Sequence, residues 1–352
     1  MANVTYLIGA GASAGKYKDN DSNKYKVEGL PCVNEIPKSL RFILGVLRSN
    51  VTENIELVIP EVSLNSKEDW IYAQKELLEI FIKLSDACQQ HATIDTYAKK
   101  LILQCDFKGF KELEQHLTLF FIFEQIIRKP DSRYDAFLAN ILEVSNSFPQ
   151  NIKILSWNYD TQVEMAFYEY NDEYKLKIGS KTNEYYHFYD IIKINGIATF
   201  KNQEDLVKRS KEVREKIGDI DDPFTISREM KEQILLEEFI YLYKKYVYNK
   251  KDNTNLSFAF DVNEISDEII KRANDIISET NALVIIGYTF PFFNREIDRK
   301  ILRTIIPDTK IYIQDLYPER IKQSLRAVLP HIKENNIILL KEVDQFYLPP
   351  EL

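Results

Sequence analysis

The chain is poor in cysteine, since only Cys32, Cys88 and Cys105 occur among its 352 residues. They are widely separated, and no C-x-x-C pair is present to hold a structural zinc ion or to form a redox couple. We therefore expect no metal site, and we expect plain thiols in a reducing compartment.

Long apolar runs and an excess of positive charge are also lacking. The longest apolar stretch, residues 282–293, is interrupted by Gly287 and Pro291 and is too short to span a membrane. No secretory leader is visible before the first predicted strand, so we expect a cytoplasmic protein with no membrane partner. The formal net charge of −8 argues against the basic surface typical of nucleic-acid-binding domains, and a nucleic-acid partner is not directly implied.

The composition that remains is that of a folded protein, with 45% hydrophobic and 28% charged residues. Short β-branched runs alternate with helical periodicity, which predicts an α/β fold with a Rossmann-like, doubly wound, mostly parallel sheet. The predicted strands are residues 5–8, 153–156, 191–194, 283–286, 310–314 and 337–340. We expect a single domain over residues 1–352, with its core in residues 1–35, 150–200 and 264–345 and large helical insertions at about residues 36–149 and 201–263.

A glycine-rich turn directly follows the first predicted strand. Residues 5–15 read TYLIGAGASAG, which fits the G-x-G-x-x-G/A pattern of dinucleotide-binding loops. In such loops Gly9 makes the sharp turn, Gly11 lets backbone N–H groups approach a pyrophosphate, and the small Ala14 allows close packing of helix on strand. The alternative is a tight turn without a ligand. The acidic residue that dehydrogenases place about 20 positions later is absent, so the pattern points away from that class.

A second polar motif is predicted where another strand ends. Asn158 and Asp160, in the segment SWNYD (156–160), should project from the carboxyl edge of the sheet, where ligands bind in open α/β folds. The alternative is that Asp160 or Thr161 caps the next helix. A ligand site is favoured because this motif occurs together with the glycine-rich turn, with GLP (29–31) and with IIGYTF (285–290).

These segments together resemble the sirtuin-like family, specifically the bacterial sirtuin-like domains of anti-phage defence systems. The resemblance covers roughly residues 4–315 and depends on GAGAS (9–13), GLP (29–31), NYD (158–160) and IGYTFPFFNREID (286–298). In that family the loop holds the phosphates of NAD, and the aligned Asn and Asp contact its nicotinamide riboside. The resemblance implies NAD as substrate and Asp315 near its adenosine end. The other implied binding residues are Gly9, Ala10, Gly11, Ala12, Ser13, Pro31, Gly287 and Thr289.

Two departures from the family bear on the chemistry. The four cysteines of the sirtuin zinc ribbon are missing, so protein deacylation is not expected. The histidine that precedes a glycine and serves the family as general base is replaced by Asn195 in Lys193-Ile194-Asn195-Gly196. Asparagine can orient a hydroxyl or a water, but it cannot take up a proton near neutral pH. His187, just before the same strand, is the candidate substitute; packing or a surface hydrogen bond is its alternative role.

The predicted function is that of an NAD hydrolase that releases nicotinamide and ADP-ribose. Asn158 would position the ribose and the attacking water, and Asp160 would stabilise positive charge or hold the nicotinamide amide. Asn195, with or without His187, would orient the ribose hydroxyls. A non-catalytic module that senses NAD or ADP-ribose is the alternative, because the general base is missing. A weaker alternative transfers the ribosyl group to a macromolecule.

The resemblance also implies control of this activity, because an unregulated NADase would kill its own cell. We expect the chain to be the NAD-depleting effector of an anti-phage, abortive-infection system. Control would come from a homo-oligomer and a separate sensor subunit. The tyrosine-rich stretch Lys231 to Tyr248 is predicted to pack as a helix, with an oligomer or partner surface as the alternative. The choice between NAD and NADP stays open.

Overall fold

The computed structural model describes residues 2–15, 28–49, 58–143, 147–170, 176–180, 190–200, 206–218, 227–248, 254–261 and 264–352. His187 lies outside these residues. The strands are β1 (Val4–Ile8), β2 (Ile152–Ser156), β3 (Ile178–Ser180), β4 (Ile191–Lys193), β5 (Gly196–Phe200), β6 (Thr254–Leu256), β7 (Ala282–Ile286), β8 (Lys310–Gln314) and β9 (Ile337–Leu340). The helices are α1 (Ile36–Leu47), α2 (Lys67–Gln90), α3 (Ile94–Leu103), α4 (Phe107–Ile127), α5 (Ser132–Ile141), α6 (Gln162–Tyr168), α7 (Leu206–Ile217), α8 (Arg228–Leu242), α9 (Glu264–Ser278), α10 (Arg295–Leu302) and α11 (Pro318–Val328).

Seven strands form one parallel sheet in the order β3-β4-β2-β1-β7-β8-β9. The predicted α/β, Rossmann-like architecture is therefore confirmed, and each of the six predicted strands is present within about one residue of its predicted bounds. Every residue of β1 and β7 is buried, as expected for central strands that helices cover on both faces. The sequence analysis did not predict β3, β5 or β6.

The strand order reverses beside β1. The chain passes from β1 to β2 on one side of it and later returns to β7 on its other side. Such a reversal opens a crevice at the carboxyl ends of the strands, which is where open α/β sheets bind ligands. Ile8 pairs in register with both Ser156 and Ile286, so the segments after β1, β2 and β7 begin at the same height.

The two predicted insertions share a hydrophobic core of their own. Helices α1 to α4, α7 and α8 and the antiparallel pair β5–β6 contribute to this core, while two other clusters cover the faces of the parallel sheet. Within the first insertion, α2 and α3 are separate helices, because Thr93 begins α3 by accepting a hydrogen bond from the Thr96 N–H at 3.2 Å.

Helix α5 differs from the other helices of the first insertion, because it packs on the parallel sheet. Its Tyr134 and Phe137 lie in one hydrophobic cluster with Tyr6 and Ile8 of β1. The Tyr6 and Phe137 rings meet edge to face at 4.8 Å. As a result, the beginning of α5 lies close to the segment that follows β1.

The tyrosine-rich stretch packs mainly inside the protein, as predicted. Tyr243 and Tyr246 are buried in the insertion core, whereas Tyr248 is exposed. They lie in a π-helical turn, Tyr243–Tyr248, that continues α8. Among the described residues, no helix is long and apolar enough to cross a membrane.

A pair of glycine substitutions tests the close contact between the segments after β1 and β7. Gly287 has φ 59°, and a Cβ built there would lie 2.4 Å from Gly11 Cα. We expect Gly287→Ala to lower the free energy of unfolding by about 1–3 kcal/mol, through left-handed strain and overpacking. The measurement is urea unfolding followed by circular dichroism.

Gly45→Ala is the matched control for this experiment. Gly45 lies inside α1, and a Cβ there would meet no atom within 4 Å. This substitution should raise the free energy of unfolding by about 0.5–1 kcal/mol, because alanine restricts the unfolded chain. Equal effects of the two substitutions would contradict the packing described.

Candidate functional site

The glycine-rich turn after β1 packs its backbone directly against the turn after β7. The Gly9 N–H donates to the Ile286 carbonyl at 3.0 Å, and the Gly11 N–H donates to the Gly287 carbonyl at 3.1 Å. A Cβ on Gly9 would lie 2.7 Å from Gly287 O, and one on Gly11 would lie 2.7 Å from Gly287 Cα. The Gly11 N–H is therefore already used within the protein, and the missing Cβ of Gly11 accommodates Gly287; the approach of other backbone N–H groups to a pyrophosphate stays a prediction.

Directly after Gly9 the described residues form a four-residue 3-10 turn, Ala10–Ser13, in which the Ala12 N–H donates to the Gly9 carbonyl at 2.9 Å. The residues in which the expected helix would continue, 16–27, lie outside the described ones. Ala10 is exposed at the start of this turn, while Ala12 and Ser13 are buried. The loop is therefore shaped mainly by contacts within the protein, and any ligand would meet it at its exposed Ala10 side.

Asn158 joins the NYD motif to the glycine-rich loop. Its Nδ2 donates to the Gly9 carbonyl at 2.9 Å and to Ser13 Oγ at 3.1 Å. Its own backbone N–H donates to Ser156 Oγ at 3.1 Å. Because the carboxamide nitrogen is held by the loop, Oδ1 is the atom that Asn158 can offer to a ligand; it accepts no hydrogen bond from a described residue.

Ser13 extends this connection to helix α5. Its Oγ lies 3.1 Å from the Tyr134 hydroxyl. Burial raises the pKa of Tyr134 well above its usual value, and the nearby Asp160 charge adds to this rise. The phenol is therefore neutral at any physiological pH and serves as a hydrogen-bonding group. Sequence reasoning missed Tyr134, because its spacing predicts an ordinary core position of a helix.

Asp160 has a structural role in addition to any chemical one. Its Oδ1 accepts a hydrogen bond from the Gln162 N–H at 3.1 Å, at the beginning of α6. The N-cap residue of α6 is Thr161, whose side chain makes no capping bond, so neither predicted helix cap is formed, and the Asp160 contact is a local turn just before the helix. The side chain is buried, and the Asp160 carbonyl accepts a hydrogen bond from Lys193 Nζ at 2.6 Å.

Lys193 is the other side chain at this edge that sequence reasoning missed. It ends β4, is fully buried, and has its Nζ 3.1 Å from Glu164 Oε1 on α6. Burial raises the pKa of Glu164, and the Lys193 charge opposes this rise. A lysine at the end of a short strand is typical of a solvated position, so no signal in the sequence predicts this ion pair.

Asn195 reaches the same edge of the sheet but is buried. Its Nδ2 donates to the Trp157 carbonyl at 3.4 Å, and its own carbonyl accepts from the Ser257 N–H at 2.9 Å. Its Oδ1 is buried without a hydrogen-bond partner among the described residues. Asn195 is therefore buried, at 6% exposure, with its backbone bound to the segment after β6.

The strand order reverses between β1 and β7, and we call this place the switch point. The remaining predicted binding residues lie at different distances from it. Pro31 is buried beside the loop, because the neighbouring Leu30 N–H donates to the Ser13 carbonyl at 2.6 Å. Thr289 is exposed directly after the turn at Gly287. Asp315 follows β8, about 10 Å from β1 at two strand spacings, and its Oδ1 accepts a hydrogen bond from the Tyr317 N–H at 2.8 Å.

The segment after β7 carries strain and a buried polar group. Phe290 is buried with φ 53°, a backbone conformation that is unfavourable for a bulky residue and is found most often near functional sites. Two residues before it, Tyr288 stacks on Trp157 with ring centroids 5.6 Å apart, and its hydroxyl donates to Asp298 at 3.0 Å. Burial raises the pKa of Asp298 well above its usual value. These contacts hold the segments after β2 and β7 together.

Comparison with known proteins does not identify a family for this chain. No protein-family model matches the chain, and no curated protein matches it. Within the described part of the chain, no group of three or more His, Cys, Asp or Glu side chains is arranged to hold a metal ion. The function therefore has to be argued from the geometry at the switch point.

A double-mutant cycle tests the buried ion pair between Lys193 and Glu164. We expect Lys193→Met to lower the free energy of unfolding by about 3–5 kcal/mol, because it leaves a buried carboxylate without its counter-charge. Adding Glu164→Gln should recover at least about 1 kcal/mol, since contacting residues are coupled. The measurement is urea unfolding of both single variants and the double variant. Strictly additive effects would contradict the pairing.

Proposed function

We propose that this chain is a sirtuin-like NAD hydrolase whose site lies at the switch point between β1 and β7. The observation that carries the proposal is the pair of hydrogen bonds from Asn158 Nδ2 to the Gly9 carbonyl and to Ser13 Oγ. They join two motifs of the resemblance that lie 145 residues apart in the sequence. The edge at which they meet is the one where this type of sheet binds nucleotides.

The reaction would replace the glycosidic bond of NAD with a bond to water. The bond from the ribose C1′ to the nicotinamide nitrogen breaks, and its electron pair stays on the nicotinamide ring, which leaves as a neutral molecule. The oxygen of the water bonds to C1′, and one proton of the water is released. The products are nicotinamide and ADP-ribose.

Asn158 and Asp160 have the chemistry that this step needs. With its Nδ2 held by the loop, Asn158 presents Oδ1 as a fixed acceptor for the attacking water or for a ribose hydroxyl. One oxygen of Asp160 is used by the α6 N-terminus, so its second oxygen is the one left to stabilise positive charge on the ribose. Asn195 would orient the ribose hydroxyls.

A strong general base is not essential for this reaction. Nicotinamide leaves without being protonated, and the oxocarbenium-like transition state is reactive enough toward water that orientation supplies much of the help. The replacement of the family histidine by Asn195 is therefore compatible with hydrolysis. The role of His187 as substitute base stays a prediction.

The biological part of the proposal rests on the resemblance alone. We propose an effector that depletes NAD in an anti-phage system, controlled by self-assembly and by a separate sensor subunit.

A binding module without turnover is the second candidate. Two observations favour it: Asn195 replaces the general base and is buried, and one Asp160 oxygen already accepts a hydrogen bond from the Gln162 N–H. The discriminating result is the fate of bound NAD. A sensor would return intact NAD after long incubation, even with a candidate partner protein present.

Substitution of Asn158 tests the proposed hydrolase. We expect Asn158→Ala to lower nicotinamide release from NAD at least about 100-fold, because one positioned group of this kind contributes about that factor. Release is measured by chromatography over a range of protein concentrations, so that assembly is included as a variable. Unchanged turnover in Asn158→Ala would contradict the assignment.

Asn274→Ala is the matched control. Asn274 is as buried as Asn158, at 7% exposure, and its Nδ2 also donates to carbonyls, those of Lys300 and Ile301 between α9 and α10. It should lower the free energy of unfolding by about 1–3 kcal/mol without changing turnover of the folded protein. A loss of turnover equal to that of Asn158→Ala would assign the effect to stability.

A further inference from the structure

Arg133, at the start of α5, reaches the glycine-rich loop from inside the protein. One of its terminal nitrogens donates to the Gly11 carbonyl at 2.9 Å and to the Ala12 carbonyl at 3.3 Å. The side chain is only 6% exposed. Neither the glycine-rich pattern nor the family resemblance predicts a role for this residue.

Asp131 completes the contact with the loop. Its carboxylate accepts from Arg133 Nε at 3.0 Å, and its Oδ2 also accepts from the Gly15 N–H at 2.7 Å. The Asp131 N–H donates to Gln162 Oε1 at 3.0 Å, at the beginning of α6. The pair therefore holds the loop at Gly11, Ala12 and Gly15 and ties it to the helix that follows the NYD motif.

The guanidinium is also held from its opposite side. Its second terminal nitrogen donates to the Val343 carbonyl at 3.1 Å, and its central carbon lies 5.2 Å from the centre of the Phe346 ring. The segment after β9 therefore fixes the position of Arg133 beneath the loop.

A buried ion pair of this kind is not explained by stability alone. Desolvation of the two charges offsets much of their attraction, and an apolar pair of similar size is often as stable. A geometric role accounts for it better, since the planar guanidinium can bind several acceptors in fixed directions. Because Arg133 binds the Gly11 and Ala12 carbonyls, these oxygens point toward Arg133. They therefore point away from an anion bound on the other side of the loop, which their negative charge would repel.

We propose that the Asp131–Arg133 pair sets the conformation of the Gly9–Ser13 loop, which makes Arg133 a positioning residue of the proposed NAD site. The inference rests on the proposed function and adds to it the residues that prepare the loop for the phosphates of the dinucleotide. Arg133 itself would not touch NAD.

The first arm of the test measures how fast the backbone amides of the loop exchange hydrogen for deuterium when no nucleotide is present. Arg133→Lys keeps the charge but loses the planar fork, so the Gly11 and Ala12 carbonyls cannot both be held. In hydrogen–deuterium exchange, we expect peptides that cover residues 6–15 to exchange at least about 10-fold faster, a loss of roughly 1.4 kcal/mol in local opening free energy. Peptides that cover β8 should exchange as in the wild type.

Two further variants serve as controls for the exchange measurement. Arg209→Lys is the matched control, because Arg209 on α7 also pairs with a carboxylate, that of Glu238 on α8 at 2.9 Å. It should leave exchange of residues 6–15 unchanged. Asp131→Asn serves as the milder variant if Arg133→Lys does not fold, and it should also speed exchange of the loop. Unchanged exchange of the loop in folded Arg133 and Asp131 variants would overturn the inference.

The second arm measures affinity by titration calorimetry with NAD and with ADP-ribose. We expect Arg133→Lys to bind both at least about 10-fold more weakly than the wild type and than Arg209→Lys. Faster loop exchange with unchanged affinity would overturn the positioning role. A wild-type protein that binds neither probe would instead refute the proposed function, while the exchange result would still decide whether the pair sets the loop.

Discussion

The contact on which the rest of the site depends is the approach of two backbone turns, one after β1 and one after β7. Gly11 and Gly287 meet so closely that neither position has room for a Cβ, and the Gly11 N–H donates to the Gly287 carbonyl. This contact lies where the strand order reverses. It fixes the position of the loop whose Gly9 carbonyl accepts a hydrogen bond from Asn158, two residues after β2.

The buried polar groups around this contact restrict one another's positions through hydrogen bonds. Asn158, Ser13 and Tyr134 form a buried chain of hydrogen bonds, while Lys193 holds the carbonyl of Asp160 from the neighbouring strand. Buried polar groups are costly unless they are paired, so each of these side chains restricts the position of its partner. The β1–β2 side of the site is therefore held by connected, buried hydrogen bonds. On the β4 side, Asn195 is buried and its carbonyl accepts a hydrogen bond from the Ser257 N–H after β6.

The sequence predicted the sheet well because the central strands are buried on both faces, which produces apolar runs such as Ala282–Ile286. It also placed the motifs at strand ends, where their meeting follows from a parallel sheet. It could not predict that Arg133 and Tyr134 touch the loop, because those contacts link residues more than a hundred positions apart. Lys193 was missed because its partners come from another strand's end, with Asp160 just before α6 and Glu164 within it. The glycine-rich pattern also gave no sign that Gly11 packs against Gly287, a residue far away in the sequence.

The central claim is that NAD lies across the switch point with its nicotinamide ribose beside Asn158. A crystal structure with a non-hydrolysable NAD analogue, in which carbon replaces the ribose ring oxygen, tests it most directly. The account predicts the pyrophosphate against the Gly9–Ser13 loop and a ribose hydroxyl or a water within hydrogen-bonding distance of Asn158 Oδ1. An analogue bound elsewhere, or no binding at millimolar concentration, would contradict it.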